Sequence, residues 1–339
     1  MSRKIGVMTI LLILTFTFVS CDQRSQNPPQ NQSQSQQTSE EQKLEKVKVA
    51  QFAEFFLYMP VYLADGKGFF KDQGLSVDIV STGGDDKTFA AVISGGVQFG
   101  IADPMFVAIA RSKGQPGKVI ASIVNGVPFW GVTKNPNVPE IKDPKQLEGF
   151  TVATFPSPST AFTLQSEMFK KAGLPPKIRQ AGFGTLLALL EVGEADIVLE
   201  LEPNVSTAVK GGARVVYSMA DMYGDFAITG VTTSEELIAK RPDLVQKFVN
   251  AIQQAESYAH SDPEGVVVFA VNRFPNLNPV IVEQALKRVL DSNTFPRYTQ
   301  ISKEAWQKAN QLRVHAGDLP TIDEGALDNT FAQKAMETY

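Results

Sequence analysis

From Val47 onward the sequence switches regularly between two hydrophobic periods. Val47-Lys-Val-Ala-Gln-Phe52 alternates apolar and polar residues, the signature of a strand with one buried face. Pro60-Val-Tyr-Leu-Ala64 then opens a helix with proline in its first turn, where a missing N–H is tolerated. Leu75–Val80 is a second strand closed by Gly83-Gly84, and Asp85 or Asp86 is placed to cap a helix carrying Phe89, Val92 and Ile93 on one face. Val97–Ala102 is a third strand, ended by Asp103-Pro104, and a helix follows from Met105 to Lys113. Val119–Ile123 and Phe129–Thr133 read as two further strands. Strand and helix alternating at this spacing predict a largely parallel, doubly wound α/β sheet.

Asn135-Pro-Asn-Val-Pro139 interrupts the pattern and reads as a hinge. A second α/β unit follows: a strand near Thr151–Thr154, a helix ending near Gly173, a turn at Gly182-Phe183-Gly184, a helix over Leu186–Glu191 and a strand over Ile197–Leu199. Glu202-Pro203 opens another helix, and Arg214–Ser218 reads as a strand. Ala227–Thr232 is a strand leading back after a crossing near Asp225, and Thr233-Ser-Glu-Glu236 has the spacing of a capping box. The remainder is almost all helix. Two crossings divide the chain into two lobes, residues 47–134 plus 227–339 and residues 135–226, with a cleft between them. In the second unit, Phe155-Pro-Ser-Pro-Ser-Thr160 joins strand to helix through a hydroxyl-rich turn. Free N–H groups and roughly half a positive charge at such a helix start can cradle a carboxylate or another compact acceptor. A simple N-cap by Ser159 or Thr160 is the plain alternative.

The residues ahead of Val47 change the picture. Arg3 and Lys4 precede an apolar stretch from Ile5 to Val19, which has the form of an export signal and is short for a membrane helix of about 20 apolar residues. Cys21, at its end, is the single cysteine in 339 residues, which excludes a disulfide scaffold and a dithiol redox pair. Residues 22–46 are rich in Gln, Ser, Asn and Pro, too polar to offset the entropy of ordering, and read as a disordered tether. With 32 basic and 36 acidic residues and no basic stripe, nucleic acid is not the expected partner.

Five stretches occur in a telling order: Pro60-Val-Tyr-Leu-Ala-Asp-Gly-Lys-Gly-Phe-Phe70 with Gly74-Leu75; Gly83-Gly84; Ser94-Gly-Gly-Val-Gln-Phe-Gly-Ile101; Pro156-Ser-Pro-Ser-Thr160 with Gly173-Leu174; and Ala195-Asp-Ile-Val-Leu-Glu-Leu-Glu-Pro203. Together they resemble the substrate-binding proteins of ABC importers for nitrate, sulfonates, taurine and thiamine precursors. Phe18-Val-Ser-Cys21 likewise resembles a bacterial lipoprotein signal, with Phe18 where that pattern prefers Leu. The resemblance implies a two-lobed type II periplasmic-binding-protein fold, two doubly wound sheets joined by a two-strand hinge, closing on one small molecule with no bond broken. It implies a permease and an ATPase as partners, and a lipid on Cys21 anchoring the protein to the outer face of a membrane. A monomer without cofactor or metal is expected.

Ligands of open α/β sheets bind beyond the carboxyl ends of the parallel strands. That rule selects Phe52, Glu54, Phe55, Phe56, Tyr58, Asp103 and Phe106 from the first lobe, and Phe155, Ser157, Ser159, Thr160, Phe183 and Glu202 from the second, with Trp130 and Phe226 near the crossings. Core packing of the aromatics and helix capping by Asp103 and Glu202 are the plain alternatives. These loops hold no Lys or Arg apart from Lys87, whereas nitrate or a sulfonate needs donors and positive charge. Aromatic faces and carboxylates favour a flat nitrogen heterocycle, a thiamine pyrimidine precursor first and a riboflavin-like ring second. The alternative is a small anion such as nitrate, a sulfonate, taurine or bicarbonate, held by the N–H groups at Ser159 and Thr160. The eukaryotic thiamine-pyrimidine synthases resemble this fold and use histidine and a cysteine-rich motif. Here His260 and His315 fall in the carboxyl-terminal helices and the one cysteine lies at the lipid site, so an enzyme is not expected. A sensor that docks to a receptor without transport is a third class.

Overall fold

The computed structural model describes residues 43–339; the signal, Cys21 and nearly all of the tether lie outside them. The last two residues of the expected tether lie in a strand, because Glu45 and Lys46 pair with Leu75 and Ser76. The first half runs β1 (Glu45–Gln51), α1 (Met59–Gly66), α2 (Phe69–Asp72), β2 (Leu75–Ser81), α3 (Asp85–Ile93), β3 (Phe99–Ala102), α4 (Met105–Ser112) and β4 (Lys118–Asn125). The middle runs β5 (Trp130–Thr133), β6 (Val152–Thr154), α5 (Thr160–Ala172), β7 (Ile178–Gln180), α6 (Leu186–Glu191), β8 (Ile197–Glu200), α7 (Asn204–Lys210), β9 (Arg214–Ser218) and α8 (Met219–Tyr223). The chain ends with β10 (Ala227–Thr233), α9 (Glu235–Lys240), α10 (Pro242–Ser261), α11 (Pro263–Arg273), α12 (Pro279–Asp291), α13 (Lys303–Ala316) and α14 (Thr330–Thr338).

Two five-stranded sheets form, ordered β2-β1-β3-β10-β4 and β7-β6-β8-β5-β9. In each, four strands point the same way, and the strand that enters from the other half of the chain is antiparallel to both its neighbours. The expected two-lobed architecture is present, with one boundary moved. Trp130–Thr133 does not belong with the first sheet: β5 pairs with β8 and β9 of the second. The first crossing is therefore at 126–129, and Asn135–Pro139 is no hinge. Its Asn135 side chain donates to Asp196 Oδ1 at 2.9 Å, inside the second lobe. The two crossings are tied together: the Gly126 N–H donates to the Phe226 carbonyl at 2.9 Å and Asn125 Nδ2 donates to Asp225 Oδ1 at 3.0 Å. Gly126 sits at φ 74° there, a left-handed value that side chains disfavour.

Local capping differs from the expectation in two places. Neither Asp85 nor Asp86 caps α3, whose N-cap is Gly84; both lie in the first turn. Ser234, not Thr233, caps α9 through the Leu237 N–H, because Thr233 is still in β10 with its hydroxyl on the Gln98 carbonyl. The long helix α10 covers the first sheet with a continuous apolar face that includes Leu244, Phe248, Ile252 and Ala255. Phe248 stacks on Phe99 of β3 with ring centroids 4.0 Å apart. Of the last helices, α12 packs on α7 of the second lobe as well as on α11, and α13 touches α4, β10 and α5. The carboxyl-terminal helices thus reach both lobes.

Candidate functional site

Two clusters of side chains bridge the lobes. The first is aromatic. Phe55, in the loop after β1, meets Phe183 of the 182–184 turn edge to face, with ring centroids 4.6 Å apart. On the first-lobe side Phe55 also touches Phe52 and Tyr58, each at 5.2 Å. On the second-lobe side Phe183 lies 6.4 Å from Phe155, which lies 6.0 Å from Phe129 at the crossing. Phe183 remains 45 % exposed, so this contact is not sealed core. Tyr62, Tyr217, Tyr258 and Trp306 each donate to a protein acceptor. The Tyr58 hydroxyl and the Trp130 indole N–H have no such acceptor among the described residues; both side chains are largely buried, yet neither polar atom is fully cut off from solvent. Burial, with Asp85 next in effect, raises the Tyr58 phenol well above its ordinary range, so it stays a neutral donor.

Glu200, the strand partner of Trp130, was not anticipated. It is the last residue of β8, directly opposite Trp130 in β5, and is fully buried. Its oxygens accept from the Leu201 N–H at 3.0 Å and Asn204 Nδ2 at 3.1 Å, and no cation pairs with it among the described residues. Burial pushes its carboxyl up to about 7. The strand fits closely here: a Cβ on Gly131, the residue after Trp130, would lie 2.1 Å from the Tyr217 ring.

The second cluster is polar. Asp103 follows β3, and its Oδ1 accepts the Met105 N–H at 2.9 Å, the capping role weighed from sequence. Its Oδ2 accepts from the Thr160 hydroxyl at 2.5 Å and from Arg313 Nη2 at 3.0 Å. Arg313 Nη2 also donates to Thr160 Oγ1 at 2.8 Å, while Nη1 donates to the Pro158 carbonyl at 2.9 Å and Asp318 Oδ2 at 3.1 Å. The guanidinium, fully buried, lies 5.7 Å over the Phe106 ring. Ser159 caps α5 by accepting the Phe162 N–H at 3.2 Å. The helix start expected to cradle a ligand is thus faced by the protein's own Asp103 carboxylate. Asp85 Oδ1 accepts the Asp103 N–H at 3.0 Å, and burial followed by the Asp103 charge pushes the Asp85 carboxyl up to about 7.

Other expected ligand contacts are engaged elsewhere. Glu202 is fully buried, caps α7 through the Ser206 N–H at 3.0 Å and pairs with Arg288 Nε of α12 at 2.6 Å. Glu54 is on the surface, paired with Arg273 at 2.5 Å. Phe56 is buried against Phe274 at 5.6 Å and Phe226 against Tyr223 at 6.3 Å, so both rings belong to the core. Ser157 is exposed, its N–H held by Gln180 Oε1 at 2.9 Å. The expectation that only Lys87 brings positive charge near these loops is corrected by Arg288 and Arg313, which enter from helices remote in sequence. A cavity of about 800 Å³ lies apart from the aromatic cluster, between Phe89 and Ile93 of α3 and Phe106 and Ile109 of α4, bordered by Pro158 and Asp318. The strand ends and unpartnered donors favour the aromatic cluster as the site over this cavity.

Residues 56–266 match the family described as NMT1/THI5 like. The putative binding protein YtlA of Bacillus subtilis is 24 % identical over 290 residues, 83 % of this chain and 86 % of that protein. The riboflavin-binding protein RibY of Chloroflexus aurantiacus is 26 % identical over 200 residues, 57 % of this chain and 56 % of its own. A 4-amino-5-hydroxymethyl-2-methylpyrimidine phosphate synthase of Saccharomyces cerevisiae is 24 % identical over 238 residues, 65 % of this chain and 68 % of the enzyme. Among solved structures, the ligand-binding component of an ABC-type import system from Staphylococcus aureus superposes with a TM-score of 0.69 at 13 % identity, covering 86 % of this chain and 99 % of that one.

Proposed function

Because the chain belongs to the NMT1/THI5-like family, we propose that it is the extracytoplasmic solute-binding protein of an ABC importer, closing two lobes on a flat nitrogen heterocycle and passing it to a permease. The observation that carries this reading is the Phe55–Phe183 contact across the lobes, with the Tyr58 hydroxyl and Trp130 N–H free to donate. Phe55 and Phe183 offer ring faces and edges to a planar ligand, Tyr58 and Trp130 offer donors to ring nitrogens or carbonyls, and Glu200 offers an acceptor for an exocyclic amine. A pyrimidine of the thiamine pathway is the first candidate and a riboflavin-like ring the second, the latter supported by what RibY is named for. The sequence ending at Cys21 supports a lipid anchor at the outer membrane face.

The anion alternative loses its ground at Ser159 and Thr160. That helix start already faces Asp103, and the two arginines nearby are matched by Asp103, Asp318 and Glu202. A synthase reading has little to work with in the histidines. His260 is bonded to the Phe295 carbonyl at 2.9 Å within the carboxyl-terminal helices, and His315 pairs with Gln311 on the exposed side of α13. A thermal-shift screen with aminopyrimidines, thiamine, riboflavin, nitrate, bicarbonate, taurine and alkyl sulfonates tests the proposal. A ligand at a hundred times its Kd stabilises the native state by about 2.7 kcal/mol. A shift with a heterocycle that disappears in Phe55→Ala supports it; a shift with an anion alone overturns it.

A further inference from the structure

We propose that Asp103, Thr160 and Arg313 form a clasp that sets how readily the lobes close, whatever ligand lies between them. The clasp presupposes the binding-protein reading above and adds a regulator to that same site. Its parts come from both lobes. Asp103 follows β3 and Arg313 lies on α13, packed on the first lobe through α4 and β10, while Pro158, Thr160 and Thr163 belong to the start of α5. Four hydrogen bonds cross between them: Thr160 Oγ1 to Asp103 Oδ2 at 2.5 Å, and from Arg313 to Thr160 Oγ1 at 2.8 Å, to the Pro158 carbonyl at 2.9 Å and to Thr163 Oγ1 at 3.4 Å.

The distribution of charge makes this contact reversible. The ion pairs of Arg313 with Asp103 and Asp318 lie within the first-lobe side, at 3.0 and 3.1 Å. The second lobe contributes only a carbonyl and hydroxyls. Separation therefore leaves every charge with its partner and exposes neutral groups that water can satisfy. An ion pair split between the lobes would instead leave each charge to be resolvated on opening. Arg288–Glu202 has that split form, and there α12 itself packs against α7, so it reads as a fixed attachment of α12 to the second lobe. The apparent affinity of a two-state binder is its intrinsic affinity multiplied by the fraction in the competent state. A clasp of neutral crossing bonds therefore scales the affinity for every ligand by one factor, and leaves the choice among ligands to the aromatic cluster.

Hydrogen exchange on the full chain without ligand tests the clasp, so that a wrong ligand assignment and a wrong clasp are told apart. In Arg313→Gln the amides of Asp103, Met105, Phe162 and Thr163 are expected to exchange about tenfold faster, with those of β1, β3 and β10 unchanged. Thr160→Val keeps the Arg313–Asp103 pair and removes only a crossing hydroxyl, and is expected to speed the same amides about threefold. This variant decides the matter should Arg313→Gln fold poorly. Wild-type exchange at the seam in Thr160→Val, or equal acceleration at the seam and in the sheet, overturns the proposal.

Discussion

Two of the places where the lobes meet differ in how many of their polar groups the chain itself pairs. At the Asp103–Thr160–Arg313 contact every oxygen of the carboxylate has a donor and the two terminal nitrogens of the guanidinium reach five acceptors, all supplied by the chain, while the buried Arg313 Nε has no partner. At Phe52, Phe55, Tyr58, Phe155 and Phe183 the contacts are ring to ring, and the hydroxyl of Tyr58 is left without a partner. The Tyr58 hydroxyl retains some solvent access, so water can satisfy it until a ligand that displaces the water supplies an acceptor in its place. A satisfied contact is arranged for the protein's own geometry. Residue type alone does not distinguish the two, since a carboxylate, hydroxyls and a helix start are ligand-binding equipment in either case.

The largest effect should follow from truncating the aromatic side. Phe55→Ala is expected to weaken binding of whichever heterocycle the screen identifies by about 10–100-fold, about 1.4–2.8 kcal/mol, while folding stability falls by less because Phe55 is only half-buried. Calorimetric titration measures it. The sharper form uses two ligands: Phe55→Ala should change their affinity ratio, and Thr160→Val should lower both affinities equally. A Phe55→Ala protein that binds as tightly as the wild type would place the ligand elsewhere, the groove between α3 and α4 being the next place to look.

A smaller effect, with two opposite signs, belongs to Glu200. Its carboxyl titrates near 7 in the folded protein against an ordinary value of 4.5, so the native state holds the proton more firmly. Between those values the folded state binds more protons than the unfolded one. Stability is therefore complete below about 4.5, falls as the pH rises toward 7, and then levels. A ligand amine that donates to Glu200 prefers the ionised carboxylate, so affinity should rise, by up to about tenfold, as the pH passes from 6 to 8. Asp85 titrates in the same range. Glu200→Gln separates the two, because it should flatten the rise in affinity and leave the Asp85 contribution to stability in place. An unchanged pH profile in Glu200→Gln would remove Glu200 from the ligand set.

Much of the lobe plan was legible because strand and helix periods depend only on neighbours in sequence. What escaped depends on partners far along the chain. Trp130-Gly-Val-Thr133 reads as a strand in either sheet, and only its pairing with Val198–Glu200 and Arg214–Ser218 assigns it to the second. The three residues of β7 and the five of α8 are too few to show a period. Phe56, Phe226 and Glu54 were grouped with the site by proximity in sequence, yet the turn after β1 points Phe56 inward and Glu54 outward. Arg313 left a signal that can be read: Trp306, Ala309 and Arg313 share the buried stripe of α13 at helical spacing, and arginine on an apolar stripe calls for a partner. Its particular partner, 210 residues away, was not readable.

The smallest and most discriminating comparison removes one hydroxyl from each region. Thr160→Val deletes a hydroxyl that donates to Asp103 and accepts from Arg313, so the protein without ligand should lose about 0.5–1.5 kcal/mol in a denaturant titration. Tyr58→Phe deletes a hydroxyl with no protein partner, so the same titration should show no loss. Adding the ligand reverses the order. The wild type gains a bond at Tyr58 that Tyr58→Phe lacks, so the ligand-induced stabilisation should shrink by about 0.5–1.5 kcal/mol in Tyr58→Phe, beyond any change in Thr160→Val. If both variants lose the same stability without ligand, the Tyr58 hydroxyl has a structural partner and the contrast between a self-satisfied contact and an open one fails. If Tyr58→Phe is silent in both titrations, the ligand engages the rings alone, and the donors that orient it are the Trp130 N–H and its neighbours.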